Sequence, residues 1–185
     1  MMAAIRMLLV LTSLCGLAYP LAVTALARLL FPRQAAGSLL ISDGKVLGSE
    51  LIGQHFEDPR YFWGRPSATP LFPYNALASS GSNLGPNNPA RKLAIEERRK
   101  ALLASDPGNA APIPADLLMA SGSGLDPHLS PEAALWQAGR VAKLRGQDKS
   151  KIETLVKQHI QPRQFGILGE PVVNVLLLNQ ALDRL

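Results

Sequence analysis

"ASGSGLDPHLSPEAALWQAGRVAKLRG", residues 120–146, decides the fold. Its first half sets Ser123, Asp126 and His128 among glycines, immediately ahead of a helix start. As a nucleophile elbow it would make the chain an α/β-hydrolase; as a turn it belongs to something smaller. The elbow needs G-x-S-x-G between a strand and a helix. Gly122-Ser123-Gly124 lacks that spacing and follows no predicted strand. A Ser-His-Asp triad also draws its members from separate elements, whereas these three residues lie within six positions. The turn reading stands. Ser130-Pro131-Glu132 then starts a helix with a capping serine and a first-turn proline. Ala134, Leu135, Ala138, Val141 and Ala142 form its apolar side, opposed by Gln137, Arg140 and Lys143. Gly146 is the expected C-cap.

Further elements follow downstream. Ser150 and Glu153 read as a capping box opening a helix with Ile152, Leu155, Val156 and Ile160 on one face, stopped by Pro162. In "EPVVNVLLLNQALDRL", 170–185, Pro171 occupies a first-turn position, and Val175, Leu178, Leu182 and Leu185 mark the buried side.

Upstream, "ADLLMA" gives one helical turn over 116–120, and Asn88-Pro89 caps a helix through "ARKLAIEERRKALLAS" that stops near Asp106-Pro107-Gly108. Loop 78–90 before it is rich in turn residues. "EDPRYFWGRPSATPLFPYN", 57–75, has Pro59, Pro66, Pro70 and Pro73, which forbid a long helix. Tyr61, Phe62, Trp63, Phe72 and Tyr74 make it an ordered loop. Two β-prone runs flank Asp43-Gly44, a two-residue hairpin signal, although their alternation is imperfect.

At the N-terminus, 7–27 contain no charged residue, enough apolar length to cross a bilayer. Pro20 within it predicts a kink rather than an end. A cleaved signal is the rival reading, because Ala25-Leu26-Ala27 imitates a cleavage site, but signal cores are usually shorter. Leu14 before Cys15 fills a position where a lipoprotein signal has a small residue. Arg6 on one flank and Arg28 and Arg33 on the other leave orientation undecided by charge. The predicted architecture is α+β: one N-terminal transmembrane helix, then a small mixed domain with a short β-hairpin or sheet and about four helices. The anchor occupies 1–33, with its span at about 7–29, and the domain 34–185.

Composition narrows the function. A net charge of +5 on a membrane-anchored chain points to anionic lipid or a partner subunit rather than nucleic acid. The single cysteine permits no intrachain disulfide. His55, His128 and His159 lie in separate segments without metal-site spacing. Neither glycine-rich loop carries the lysine of a Walker-type phosphate loop, so Ser79, Ser80, Gly81 and Ser82 touch phosphate only through a speculative backbone cradle. The sequence shows no catalytic set.

The motifs "YFWGRPSA", "ASSGSNLGPNNP", "ADLLMASGSGLDPHLSPEAALWQAGRVAKLRG" and "LGEPVVNVLLLNQAL", in this order behind an N-terminal span, resemble the C subunit of the Kdp complex, the bacterial high-affinity, ATP-driven potassium transporter. The resemblance covers nearly the whole chain. It implies a non-catalytic accessory subunit of the inner membrane, single-pass, with its domain on the extracytoplasmic (periplasmic) side. The implied partners are a channel-like potassium-path subunit and a P-type ATPase subunit, whose affinity for ATP it raises as a catalytic chaperone. ATP and potassium then belong to the complex, and this chain binds no cofactor itself. On that basis Trp63, Arg65, Asn83, Ser121, Gly122, Ser123, Gly124, Asp126 and His128 are the expected partner contacts. "ASSGS" departs from the ABC-type signature to which such loops are likened, which weakens direct nucleotide contact at Ser79–Ser82. The alternative class is a membrane-tethered ligand-binding protein or hydrolase.

Overall fold

A computed structural model describes residues 2–42 and 44–185. The chain divides into two compact units, Met1–Ser49 and Glu50–Leu185, and its fold is α+β with one long apolar N-terminal helix.

That helix, α1 (Met2–Leu30), has mean hydropathy 1.9 and no buried residue, and is long and apolar enough to cross a membrane. At 1.5 Å per residue it reaches about 43 Å, more than the ~30 Å hydrocarbon core. Pro20 does not end it. Proline supplies no N–H and its ring collides with the carbonyl of the preceding turn. The helix accommodates this by widening: Thr12–Ala18 is π-helical, and the Tyr19 N–H donates to the Leu14 carbonyl. After a short α2 (Pro32–Ala35), β1 (Leu39–Ser42) and β2 (Lys45–Ser49) pair antiparallel. Leu40 pairs with Gly48 but Ile41 with Val46, so the register skips Leu47. This bulge accounts for the imperfect alternation in the sequence. Gly44 is left-handed, as a hairpin turn requires; Asp43 of the expected Asp43-Gly44 turn lies outside the described residues. The hairpin groups with the N-terminal helices, not with the second unit.

The second unit contains α3 (Pro89–Ser105), α4 (Ala115–Leu118), β3 (His128–Leu129), α5 (Pro131–Arg145), α6 (Lys149–Gln158), β4 (Ile160–Gln161), β5 (Val172–Asn174) and α7 (Val175–Leu182). β5 is the centre of a three-stranded antiparallel sheet, with His128 opposite Asn174 on one side and Ile160 opposite Val173 on the other. The core joins Phe62, Leu129, Val141, Ile152, Val156, Val173 and Leu178 with the alanines of α5.

Three ends match the sequence reading. The Asn88 side chain accepts from Ala90 N, and Ser130 Oγ accepts from Ala133 N. Left-handed Gly146 closes α5, with Gln147 N–H bonded back to Ala142 O. Four expectations fail. α6 starts at Lys149 behind Asp148, so Ser150 and Glu153 form no capping box; Glu153 instead faces Lys149 at 3.5 Å. Ile160 leaves the helix to join the sheet. Likewise, 172–174 are strand and α7 begins only at Val175, with Asn174 Oδ1 accepting from Leu177 N. β-branched Val172 and Val173 favour the strand, and His128-Leu129 and Ile160-Gln161 pair with it from either side. Leu185 is exposed, unlike Val175, Leu178 and Leu182.

Removing the Ser130 cap has a defined cost. Ser130→Ala should lower the unfolding free energy by about 1 kcal/mol in urea melts of the detergent-solubilised chain. An unchanged midpoint would show that the cap contributes nothing.

Candidate functional site

The largest departure from the sequence reading lies on α5. Gln137 and Arg140 were expected on its solvent side, yet they are 0% and 1% exposed. Loop 57–66 is the reason. Its prolines keep the chain out of helix and sheet, so its backbone groups need partners from elsewhere. Phe62 N–H donates to Asn179 Oδ1 at 2.9 Å, and Asn179 Nδ2 donates to Phe62 O at 3.0 Å. Trp63 N–H donates to Gln137 Oε1 at 2.9 Å, and Gln137 Nε2 returns to Trp63 O at 3.0 Å. Each carboxamide thus stands in for one residue of a neighbouring strand. Arg140 donates to the carbonyls of Pro59 and Tyr61 and to Gln137 Oε1, and stacks 4.4 Å from the Trp63 ring centroid. Arg145 Nε donates to Arg60 O at 2.9 Å. Burial lowers the Arg140 guanidinium to about 10, so it remains charged at neutral pH.

The clamp aims the next residues at the glycine-rich turns. Ser121 N–H donates to Pro66 O, and Ser67 Oγ donates to Gly124 O at 2.7 Å. Ser80 N–H and Ser79 Oγ both donate to Ser123 O, at 2.9 and 3.0 Å. Segments 65–69, 79–81 and 121–126 therefore stack edge to edge. Two glycines are required by this proximity. A Cβ on Gly81 would lie 2.8 Å from Gly122 O, and one on left-handed Gly124 2.6 Å from Ser80 O. Tyr74 closes the side of the stack, donating to Arg65 O at 2.5 Å. Burial raises its hydroxyl to about 12.

Asp126 ties the layers together. Its Oδ2 accepts from Arg65 Nη1 at 3.2 Å, and its Oδ1 accepts from His128 N–H at 3.0 Å, with His128 Nδ1 3.5 Å away. Burial pushes this carboxyl up, but the His128 hydrogen bonds and the Arg65 charge outweigh it and leave the pKa lowered. Ser123 Oγ accepts from Leu125 N–H. Ser123 and Asp126 thus hold turn geometry, and Ser130 N–H is bound by Asp116 Oδ2 at 2.8 Å.

The expected contact residues thus fall into two groups. Arg65, Ser121, Gly122, Ser123, Gly124, Asp126 and His128 come together with Ser79, Ser80 and Gly81. Ser121 and Gly124 are buried in that cluster, whereas Gly122 and Ser123 are exposed. Trp63 stacks against Arg140, and its indole N–H donates to Asp58 O. Asn83 is exposed in a left-handed conformation. Ser82 borders a recess of about 260 Å³ beside Arg91 and Arg98. A second cleft, of about 270 Å³, lies among Phe56, Trp63, Arg65, Tyr74, Arg98 and Leu102. Among the described residues, no three His, Cys, Asp or Glu side chains gather as a metal site. The sequence assigns no site role to Gln137, Arg140, Asn179, Tyr74 or Asp116; for Gln137 and Arg140 the available signal is polar residues on an alanine-rich helix.

The model of the KdpC family, "K+-transporting ATPase, c chain", matches residues 1–184. The chain belongs to the KdpC family. The potassium-transporting ATPase KdpC subunit of Methylococcus capsulatus is 64% identical over 182 residues, covering 98% of this chain and 96% of that one. The corresponding subunits of Polaromonas naphthalenivorans and Geobacter sulfurreducens are 60% and 54% identical, each covering 98% of this chain and 93% and 96% of theirs. The KdpC match takes in both the apolar helix and the clamped loops.

Two outcomes test the site. Arg140→Met strands the Pro59 and Tyr61 carbonyls, leaving Gln137 Oε1 only its Trp63 N–H donor, and should cost about 3 kcal/mol in urea melts. Arg140→Lys should not restore it, since one ammonium cannot reproduce the planar fork. For Asp126, the folded pKa lies below the unfolded one. Its contribution is therefore present above the ordinary carboxylate range near ~4 and lost as pH falls through the folded value. Melting temperature against pH should show wild type above Asp126→Asn near neutrality and the two converging in acid. Parallel curves would exclude that role.

Proposed function

We propose that the chain is a non-catalytic accessory subunit of a potassium-transporting ATPase complex, held in the bacterial inner membrane by α1 with its second unit on the extracytoplasmic side. The observation that carries this is the family match through 1–184, which includes a helix able to span a membrane. Its partners are a channel-like potassium-path subunit and a P-type ATPase subunit. α1 packs among their helices, where Ser13, Gly16 and Ala18 allow close approach; a Cβ on Gly16 would meet nothing nearer than Thr12 Cγ2 at 3.9 Å. Lipid contacts the rest of the helix.

The chain acts as a catalytic chaperone that raises the ATPase subunit's affinity for ATP. ATP is cytoplasmic and the domain lies outside, so the effect is allosteric: docking favours the conformation that binds ATP. The geometry at 79–82 supports this over direct nucleotide contact, because Ser79 Oγ and Ser80 N–H are both spent on Ser123 O. ATP and potassium bind elsewhere in the complex. Trp63, Arg65, Asn83 and 121–128 serve docking by fixing the loops presented to the channel-like subunit, with Asn83, Gly122 and Ser123 as direct contacts.

ATPase assays on the purified complex test this reading. With residues 1–49 alone in place of the full chain, the KM for ATP should rise several-fold or the complex should fail to assemble. Normal assembly with an unchanged KM would overturn it.

A further inference from the structure

Between Arg65 and Arg91 the sequence has no Asp, Glu, Lys or Arg: residues 66–90 are 25 positions without formal charge. Within them, Leu71 and Leu77 are 95% and 96% exposed and Phe72 56%. This loop is not slack. Thr69 Oγ1 donates to Phe72 O at 2.7 Å, Asn75 N–H donates to Thr69 Oγ1 at 3.1 Å, and Tyr74 N–H donates to Ser67 Oγ at 2.9 Å. Buried Asn75 donates to Pro70 O and accepts from Leu77 N–H. Leu71 is also held at φ +72°, a conformation in which glycine or asparagine is at ease and leucine is strained. The chain therefore places large apolar side chains in water, on a braced loop, at one position against local preference. Core packing does not explain Leu71 or Leu77, since neither touches the core.

We infer that Leu71, Phe72 and Leu77 form a pre-organised plug that seats in an uncharged, apolar recess on another protein subunit of the same transporter. This rests on the reading that the chain works within a multi-subunit ATPase, and deepens it by naming the surface and the chemistry of its mate. The centres of protein interfaces are depleted of charge and rich in apolar anchors, while rims carry the polar groups. The loop has that composition, with the polar Ser79, Ser82 and Asn83 in the same uncharged stretch as the leucines. A lipid surface fits it less well. No Lys or Arg stands in 66–90 to meet anionic headgroups, and an irregular backbone does not enter hydrocarbon with its polar groups exposed.

The test co-expresses the full chain with the other subunits and measures recovery of the complex. Leu71→Glu with Leu77→Glu should cut recovery about tenfold or more, as expected for charge forced into a desolvated apolar contact. Leu71→Met with Leu77→Met should retain it. Leu71→Gly separates docking from folding: it relieves the backbone strain while deleting the anchor, so recovery should fall with no drop in the chain's own melting temperature. Recovery of the double-Glu variant at wild-type level would overturn the inference. So would normal recovery accompanied by lost binding to phosphatidylglycerol vesicles, which assigns the plug to lipid, or by loss of a homodimer, which assigns it to a second copy. Failure of the wild-type chain to recover any partner would instead strike the underlying reading.

Discussion

Three side chains from two helices hold a loop that cannot hold itself. Gln137 and Arg140 of α5 and Asn179 of α7 satisfy the backbone of 59–63 from inside the domain. The prolines around this loop exclude regular pairing, so without the clamp its polar groups would face an apolar core unpaired, at about 1–3 kcal/mol each. Phe62, fully buried, can enter that core only because its own N–H and C=O are met by Asn179. The aromatic anchor and the polar clamp are one device.

Arg140 shows the device's priorities. A buried cation is expensive, and none of its hydrogen-bond acceptors is a carboxylate; its Nε also lacks a partner among the described residues. An uncharged methionine would be cheaper to bury. The planar fork, however, reaches two carbonyls separated by one residue and still presents a face to Trp63. The arrangement specifies one loop path rather than maximising stability. From that path follow the positions of Arg65, Pro66 and Ser67, and hence the stacking of 121–126 and 79–81 against them.

Much of this domain is legible in the sequence, and apart from the Ser150–Glu153 capping pattern, which loses to a helix start at Lys149, what is not shares one cause. Asn88, Ser130 and Gly146 announced helix ends because capping is local chemistry, set within four residues. The turn character of Ser123, Asp126 and His128 was equally local. Gln137 and Arg140 were misplaced because helical periodicity sorts residues by polarity. It cannot register a polar side chain whose partner is backbone some 74–81 residues earlier. Strand β5 was missed for a related reason: three residues of "VVN" become a strand only because His128-Leu129 and Ile160-Gln161 arrive beside them. The cluster at 65, 79–81 and 121–128 was half legible. Each member stands out within its own motif, but only the fold shows that they brace one another.

The same economy explains how a small domain can turn apolar side chains outward. Each Leu or Phe withheld from the core gives up about 1.5–3 kcal/mol of burial. Loop 66–77 makes up for part of that with hydroxyl and carboxamide bonds, from Ser67, Thr69 and Asn75 to its own backbone. Its order therefore does not depend on packing Leu71 or Leu77, and their side chains are left unused by folding. A loop ordered by its apolar side chains would have none to spare for a partner, and one ordered by nothing would lose conformational entropy on docking. Bracing by small polar residues avoids both, and it ultimately hangs on the clamp, since Ser67 is placed by the chain leaving Trp63.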